Sequence, residues 1–419
     1  MYIYLFVMKI SFFTTIFVRL EQVKYNHSKL FKKLNIMKKT ILSVITILLT
    51  GSCISMLDAQ NDISNLFKAG VTDLNKVAEG YLKPAGNSFS AGLGTNWYNT
   101  AAVHKAWGFD VTFGVGAVQA PTSDQTFSLS GLTNLRPTVT GTTSAPTFTG
   151  KGNGVELNLY QPQTLSNGQA NPLAGQKIVS FTTPSGVSQY VPTASIQVTL
   201  GIPYINDVSI RLIPKVSVSG FEASMWGIGI KHNFKQWIPV VKDLPFDAAV
   251  VLAYSKFDMN YAFSSNYQVT PDKLVSGGVT TQQDQPVSST YYSTQGMKIS
   301  ATAKTANLVF SKKIAFITPY VGFGITNTNF DLSMTGNYPT LGDPVTTTVL
   351  GQTVPLLNAN GKPIMKIINI TNPISFNPSE TSTNATLGLR LKLAVITIHA
   401  QYAFQKYPVA SAGFGISIR

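Results

Sequence analysis

The chain has 419 residues, of which 44% are hydrophobic and only 12% are charged, about half the charged share of an ordinary soluble protein. Such a surplus of apolar residues over charges argues against a water-soluble protein and for one that meets lipid on part of its surface. The net charge of +14 falls to +8 without the first 59 residues, and the remaining basic residues are scattered, which argues against a nucleic-acid-binding patch.

The first 59 residues are predicted to be a leader. Two lysines followed by the apolar run 41–49 are typical of a secretory signal peptide, which we place at 37–59. Residues 1–36 are predicted to be a misassigned N-terminal extension, although the apolar run 2–18 leaves a membrane anchor open. The single cysteine, Cys53, lies in this leader, so the mature chain would hold neither a disulfide nor a cysteine metal site. Its position after the apolar run also leaves a lipoprotein, acylated at Cys53, open.

The mature chain is predicted to begin with one amphipathic helix. Apolar residues recur at three- and four-residue spacing from Ile63 to Tyr81, and the pattern ends before Pro84 and Gly86. We expect the segment 60–86 to be a cap over the periplasmic end of the domain that follows, or a plug inside it.

Residues 87–419 are predicted to form an all-β transmembrane antiparallel barrel. In 107–116 every odd position is apolar and every even one is small or polar, which separates a lipid face from a lumen face. A soluble β-sandwich alternates in the same way, but it would not place charges such as Arg390 and Lys392 on its core side. The pattern predicts about 12 strands, with 10 to 14 equally compatible. They are placed near 89–97, 107–116, 155–160, 194–200, 208–218, 222–231, 247–260, 298–304, 314–326, 387–393, 398–404 and 414–419.

Ionisable residues on these strands are predicted to face the lumen, because a charge turned toward lipid is costly. The candidates are Asp110, Glu156, Arg211, Lys298, Lys304, Arg390, Lys392 and His399. We expect the two carboxylates to pair with Arg211 or Arg390 across the barrel rather than to act as an acid and a base.

The strand order can be checked against loop lengths, because outer-membrane barrels have short periplasmic turns and long external loops. The long polar stretches 161–193, 265–296 and 327–380 are predicted to be external. The short turns at 202–207, at 311–314 and near Ala394 are predicted to be periplasmic. The segment 119–154 falls on the periplasmic side, so it either contains a further hairpin around Phe127–Leu129 or folds into the lumen.

Several motifs carry a resemblance to a known family. They are Trp97-Tyr98-Asn99-Thr100-Ala101, His104-Lys105, Gly108-Phe109-Asp110, Trp226-Gly227-Ile228-Gly229-Ile230-Lys231-His232-Asn233 and Thr318-Pro319-Tyr320-Val321-Gly322-Phe323-Gly324. Together they resemble an uncharacterised family of Gram-negative outer-membrane barrels, similar in layout to the long-chain fatty-acid transporters of that membrane. The resemblance implies an outer-membrane location and an N-terminal segment inside the barrel.

No enzymatic function is predicted. His104, His232 and His399 are not brought together by the sequence, and there is no cysteine–histidine cluster, phosphate-binding loop or paired metal carboxylate. We therefore expect no cofactor and no metal.

Two functions remain open on the sequence alone. The first is a passive channel or transporter for a small, hydrophobic molecule. The second is a surface-binding or structural barrel that acts through its long external loops. In either case the expected partners are outer-membrane lipids and lipopolysaccharide, with a small hydrophobic solute in the first.

Overall fold

The computed structural model describes residues 67, 71–203, 206–239, 244–275, 280–283, 288 and 290–418. The predicted extension, the signal peptide and Cys53 lie outside these residues. Among the described residues, no helix is both long enough and apolar enough to cross a membrane.

Ten strands of the described chain form one closed antiparallel barrel. They are β1 (Phe109–Gln119), β2 (Tyr190–Ile202), β3 (Asn206–Val218), β4 (Phe221–Asn233), β5 (Asp247–Ala262), β6 (Gly296–Ser311), β7 (Ile317–Thr335), β8 (Ser379–Leu393), β9 (Ile396–Phe404) and β10 (Val409–Ile418). Each strand pairs with the next along the chain, and β10 pairs with β1 from Phe109↔Ile418 to Val118↔Val409, which closes the barrel. The barrel has ten strands, which is the lower end of the predicted range of 10 to 14.

Two predicted strands are not part of the barrel wall. Residues 89–97 fall on helix α1 (Val71–Leu93) and the irregular chain after it, because α1 continues through Pro84 for nine more residues. Residues 155–160 do form a strand, Glu156–Tyr160, but it pairs with Leu135–Pro137 and Lys177–Thr182 in a small separate sheet.

These two errors explain why the segment 119–154 was placed on the wrong side. One false strand before β1 and one after it reverse the assigned side of the segments between them, which include 119–154, and cancel for the rest of the chain. In the structure 119–154 lies almost wholly in the β1–β2 loop, 120–189, at the same end of the barrel as the loops 263–295 and 336–378. A short pair, Thr126–Ser128 with Ser144–Pro146, supplies the predicted hairpin near Phe127.

The three long loops hold further short elements. They are the 3-10 turn Thr122–Asp124, helix α2 (Pro271–Leu274), the sheet Thr280–Gln283, Ile364–Thr371 and Asn337–Pro344, the hairpin Thr346–Val349 with Gln352–Pro355, and Ser375–Phe376, which pairs with β7. The opposite end, here called the turn end, has shorter connections at 203–205, 234–246, 312–316 and 394–395. The 3-10 turn Lys235–Trp237 lies in the second of them.

The outward face of the barrel is a continuous apolar belt. One aliphatic or aromatic side chain from every strand is 40–55% exposed: Val111, Val198, Ile210, Ile228, Leu252, Leu308, Phe323, Leu389, Ile398 and Phe414. The residues between them on the same strands turn inward, and many are polar and buried, such as Thr112, Thr199 and Arg390. An apolar outside around a polar inside is the pattern of a barrel that crosses a membrane, and it excludes the soluble sandwich.

Candidate functional site

The lumen of the barrel is filled by the N-terminal segment 71–105, which we call the plug. Helix α1 enters among the long loops: the ring of Phe330 on β7 leaves no room for a Cβ at Gly86, and Val118 and Thr193 leave none at Gly92. The chain after the helix then descends through the barrel, and its backbone contacts Gly201 near the turn end. The plug therefore enters from the loop end. Of the two expected placements of the helix, a cap over one end or a plug, the contacts of α1 with the inner wall fit the plug.

Glycines on the inner wall make room for two aromatic rings of the plug. A Cβ at Gly229 would lie 2.9 Å from the ring of Trp97, and a Cβ at Gly227 would lie 3.1 Å from it. A Cβ at Gly322 would collide with Tyr98. Three of the motifs that carried the family resemblance thus meet inside the barrel: Trp97 and Tyr98 fit against glycines of the motifs 226–233 and 318–324.

Arg211 holds the plug at the end of helix α1. Its guanidinium donates to the carbonyl oxygens of Leu93 at 3.3 Å and Thr95 at 2.9 Å, and to Gln197 Oε1 at 3.0 Å. It also lies 3.8 Å from the centre of the Trp97 ring. Among the described residues no carboxylate lies within salt-bridge distance of this buried cation. Its charge is balanced instead by carbonyls at the negative end of the helix and by the aromatic face.

A second anchor lies near the turn end. The Asp207 carboxylate, which is fully buried, accepts from the backbone N–H of His104 at 2.9 Å and lies 3.1 Å from His104 Nδ1 and 2.8 Å from Lys231 Nζ. Lys231 also donates to the carbonyl of Ala102 at 3.0 Å. Sequence reasoning missed both charges, although Lys231 alternates with Ile228 and Ile230 and could have been assigned to the lumen by the same rule as Arg390.

Four of the predicted lumen residues lie buried on the inner face: Asp110, Arg211, Arg390 and His399. Arg390 is 3.9 Å from Asp110 and donates to Ser417 Oγ at 3.2 Å. His399 Nε2 is 2.8 Å from Asn96 Oδ1 of the plug. Lys392 lies on the same face of β8 as Arg390, at the turn end of the strand, and is half-buried.

Three of the predicted lumen residues do not face the lumen. Glu156 lies in the small loop sheet, outside the wall. On β6 the inward positions are Ala301 and Ala303, both buried, so Lys298 and Lys304 point outward. The reason is that alternation alone fixes two faces but not which of them is inside. On β6 the inward face takes small side chains beside the plug, while the strand extends beyond the apolar belt, where outward lysines are tolerated.

Small cavities lie between the plug and the wall in the described part of the barrel. Two cavities inside the barrel have volumes of about 20 Å³ each, enough for about one water molecule. One of them lies between the plug at Gly92–Asn96 and the wall at Thr193, Ser195 and Arg211. Larger hollows, of about 450 and 790 Å³, lie on the outer surface of the wall.

The wall itself is interrupted between β2 and β3. These strands pair only from Gln197↔Arg211 to Ile202↔Asn206. Residues 190–196, all of them described, have no partner on β3, whereas they pair fully with β1 on their other side. Pro214 cannot donate a ladder hydrogen bond, and a bulge between Ile213 and Val216 bends β3 at the same level. We call this interruption the wall gap.

The described residues offer no sign of a metal or catalytic centre. They hold no group of three or more potential metal ligands. The three histidines of the described chain have separate surroundings: His104 is bonded to Asp207, His399 to Asn96, and His232 lies against the ring of Trp237.

Comparisons with solved structures find barrels of low similarity. Ail, the attachment invasion locus protein of Yersinia pestis, is 8% identical over 75% of this chain and 99% of its own, with a TM-score of 0.24. The translocator domain of the autotransporter NalP from Neisseria meningitidis is 9% identical over 80% and 92%, with a TM-score of 0.25. A Pseudomonas aeruginosa FadL homologue is 11% identical over 79% and 97%, with a TM-score of 0.17. These values are too low to bear on function.

Comparison with curated protein sequences finds no match. A family model matches residues 37–418, which is most of the chain, and the family is described as one of unknown function. The chain thus belongs to the family DUF6588, an uncharacterised family whose member described here has an outer-membrane-type β-barrel fold.

Proposed function

We propose that the protein is a passive transporter for a small hydrophobic molecule in the outer membrane, and that the molecule passes through the wall gap. The observation that carries the proposal is the loss of pairing between β2 and β3 over residues 190–196. In a membrane barrel, unpaired backbone N–H and C=O groups are energetically costly. We therefore expect the unpaired edges of β2 and β3 to serve a function.

The surroundings of the gap suit an apolar solute. Its outward borders carry Ile196, Ala194 and Leu212, the last of them 54% exposed. Its inner side leads to the cavity beside Gly92–Asn96 of the plug. A molecule that leaves the lumen sideways through apolar borders avoids the aqueous route, which the plug fills. Ions and water gain nothing from such a path, because they would have to give up their hydration.

The location follows the same proposal. The apolar belt crosses the membrane, the long-loop end faces outward and the turn end faces the periplasm, as in outer-membrane barrels generally. Membrane lipids are then the partners of the outer wall, and we propose no nucleic-acid partner.

A second candidate function is surface binding by the loops without transport, and one observation favours it. The loops are tied to the plug: Asp73 on α1 accepts from the backbone N–H groups of Thr133, Asn134 and Leu135. At the rim Asn87 donates to the Tyr407 hydroxyl, which in turn donates to Asp124 of the β1–β2 loop. Burial raises the pKa of Tyr407, so the phenol remains a donor. Loops fixed in this way present a constant surface.

A transport assay with a cross-linked gap distinguishes the two functions. The mature chain has no cysteine, so Ile196→Cys with Leu212→Cys introduces the only reactive pair, one on each border. A bis-maleimide then bridges the gap. The control bridges Val198→Cys with Ile210→Cys, where the strands are paired. Both proteins are placed in liposomes and uptake of a fluorescent sixteen-carbon fatty acid is measured, together with conductance in planar bilayers.

The transport proposal predicts uptake by the unmodified barrel, loss of most uptake when 196 is bridged to 212, and normal uptake when 198 is bridged to 210. Equal uptake with and without the gap bridge would refute passage through the gap. No uptake and no conductance by a correctly folded barrel would leave surface binding as the better function.

A further inference from the structure

Lys304 points outward from β6, and its surroundings are unlike those of an ordinary surface lysine. It lies at the loop-side end of a hollow of about 450 Å³ on the outer wall. The floor and sides of this hollow are apolar and include Ile228, Ile230, Leu252 and Ile325, with the small Ala306 between the last two. Within the described part of the chain, the Lys304 amine has neither a hydrogen-bond partner nor a carboxylate partner.

The neighbours of Lys304 make the loop-side end of the hollow polar. Lys304 is paired across the sheet with Tyr254 on one side and Asn327 on the other. Lys256, two residues beyond Tyr254 on β5, also points outward and is diagonal to Lys304, about 7–8 Å away by the geometry of antiparallel strands. Asp258 Oδ1 lies 3.2 Å from the Lys256 amine. Of the two lysines, Lys256 therefore has a counter-charge among the described residues and Lys304 does not.

A cation at the edge of a lipid-facing belt needs an anionic partner. A lysine on the lipid face costs roughly 2–4 kcal/mol at the midplane and little near the interface, where its stem lies along apolar surface and its amine reaches the headgroups. Headgroup phosphates are the anions at that depth. A hollow with apolar sides that ends in Lys304 therefore has the two parts that a phosphorylated lipid requires, one for acyl chains and one for the phosphate.

We infer that the outer wall around Lys304, Lys256 and the hollow over Ile228, Leu252 and Ile325 is a binding site for the phosphorylated lipid A of the outer leaflet. The choice of leaflet rests on the proposed outer-membrane orientation, because the lysines lie on the loop side of the belt. The site is independent of the wall gap, which involves other strands.

The test measures lipid retention by native mass spectrometry. The purified, delipidated barrel is titrated in detergent with diphosphorylated lipid A or, separately, with phosphatidylglycerol. Wild type is compared with Lys304→Gln, with Lys304→Gln/Lys256→Gln and with Lys298→Gln. Lys298 is the matched control, because it lies on the same face of β6 and its replacement removes the same charge away from the hollow. Faster migration of unheated samples on gels checks that each variant is folded.

We expect Lys304→Gln to weaken lipid A binding about tenfold and the double variant to weaken it further. Lys298→Gln should remain within twofold of wild type, and phosphatidylglycerol should bind at least tenfold more weakly than lipid A. Equal loss in Lys298→Gln and Lys304→Gln, or equal binding of the two lipids, would overturn the site. Fatty-acid uptake should be unchanged in Lys304→Gln, so failure of this inference and failure of the transport proposal are separable.

Discussion

Replacing Arg211 by leucine is expected to loosen the plug without unfolding the barrel. The change removes three charge-assisted hydrogen bonds, to Leu93, Thr95 and Gln197, and the contact with the Trp97 ring. Hydrogen bonds to charged groups contribute about 1.5–3 kcal/mol each, and a desolvated cation–π contact about 2 kcal/mol. The gross loss is therefore roughly 6–11 kcal/mol.

Part of this loss is offset, because burying an ion costs several kcal/mol and leucine does not incur that cost. We expect a net loss of about 3 kcal/mol, which corresponds to roughly a hundredfold increase in the open population of the segment. Hydrogen exchange of the backbone amides of residues 94–100 measures it directly, because local opening appears as a loss of protection confined to the affected segment.

The control is Arg136→Leu, which removes another arginine that lies over an aromatic ring, 5.0 Å from the centre of Tyr160, in the loop sheet. It should leave exchange in 94–100 unchanged. Unchanged protection of 94–100 in Arg211→Leu would refute the reasoning. An equal fall of protection in all strands would refute it too, because Arg211 would then stabilise the whole barrel and not hold the plug.

Three further predictions concern other contacts. Leu389 lies at an outward position and is 45% exposed, so Leu389→Arg should lower the free energy of unfolding by about 2–4 kcal/mol if it lies near the midplane. The measurement is the urea midpoint of the barrel folded in vesicles, which should fall. An unchanged midpoint would contradict the assigned face. Asp207→Asn should destabilise by about 3–5 kcal/mol, because Lys231 loses its buried counter-charge, and trypsin should then cut after Lys105 more readily; cleavage equal to wild type would refute the anchor. Gly229→Ala should displace Trp97, since the new Cβ lies 2.9 Å from its ring, and the tryptophan emission should change, whereas an unchanged spectrum would mean that the ring does not pack there.

The fold class could be predicted from sequence because the apolar belt appears there as an apolar residue at every second position of a strand. Alternation in β1, β8 and β9 assigns Val111, Leu389 and Ile398 to lipid, and the structure places them there. The alternation failed on β6, where the two lysines Lys298 and Lys304 lie on the outward face and the small apolar Ala301 and Ala303 lie on the inward face. The rule that charged residues face the lumen therefore selected the wrong side. Only packing against the plug decides that face.

The plug could be predicted only in part. Spacing indicates the helix up to Tyr81, but Pro84 and Gly86 are signals for an end of a helix, and local signals do not show that Phe330 lies against Gly86. The pairing of Asp207 with Lys231 and His104 joins residues about 25 and 100 positions apart in the chain, and no local pattern gives such a contact. The wall gap could not be predicted either, because the sequence of a strand does not show which residues of the neighbouring strand it pairs with.

The wall gap is the central claim, and disulfide formation in the barrel tests it most directly. The pair Ile196→Cys with Leu212→Cys and the pair Val198→Cys with Ile210→Cys both lie on the outward face, and they differ by two residues along each strand, so an intact ladder would give them the same cross-strand geometry. The account predicts that the 198–210 pair oxidises readily in folded barrels and that the 196–212 pair does not, because a disulfide needs Cα atoms within about 7 Å. Equal oxidation of both pairs would show that β2 and β3 are joined along their length and would contradict the proposed path.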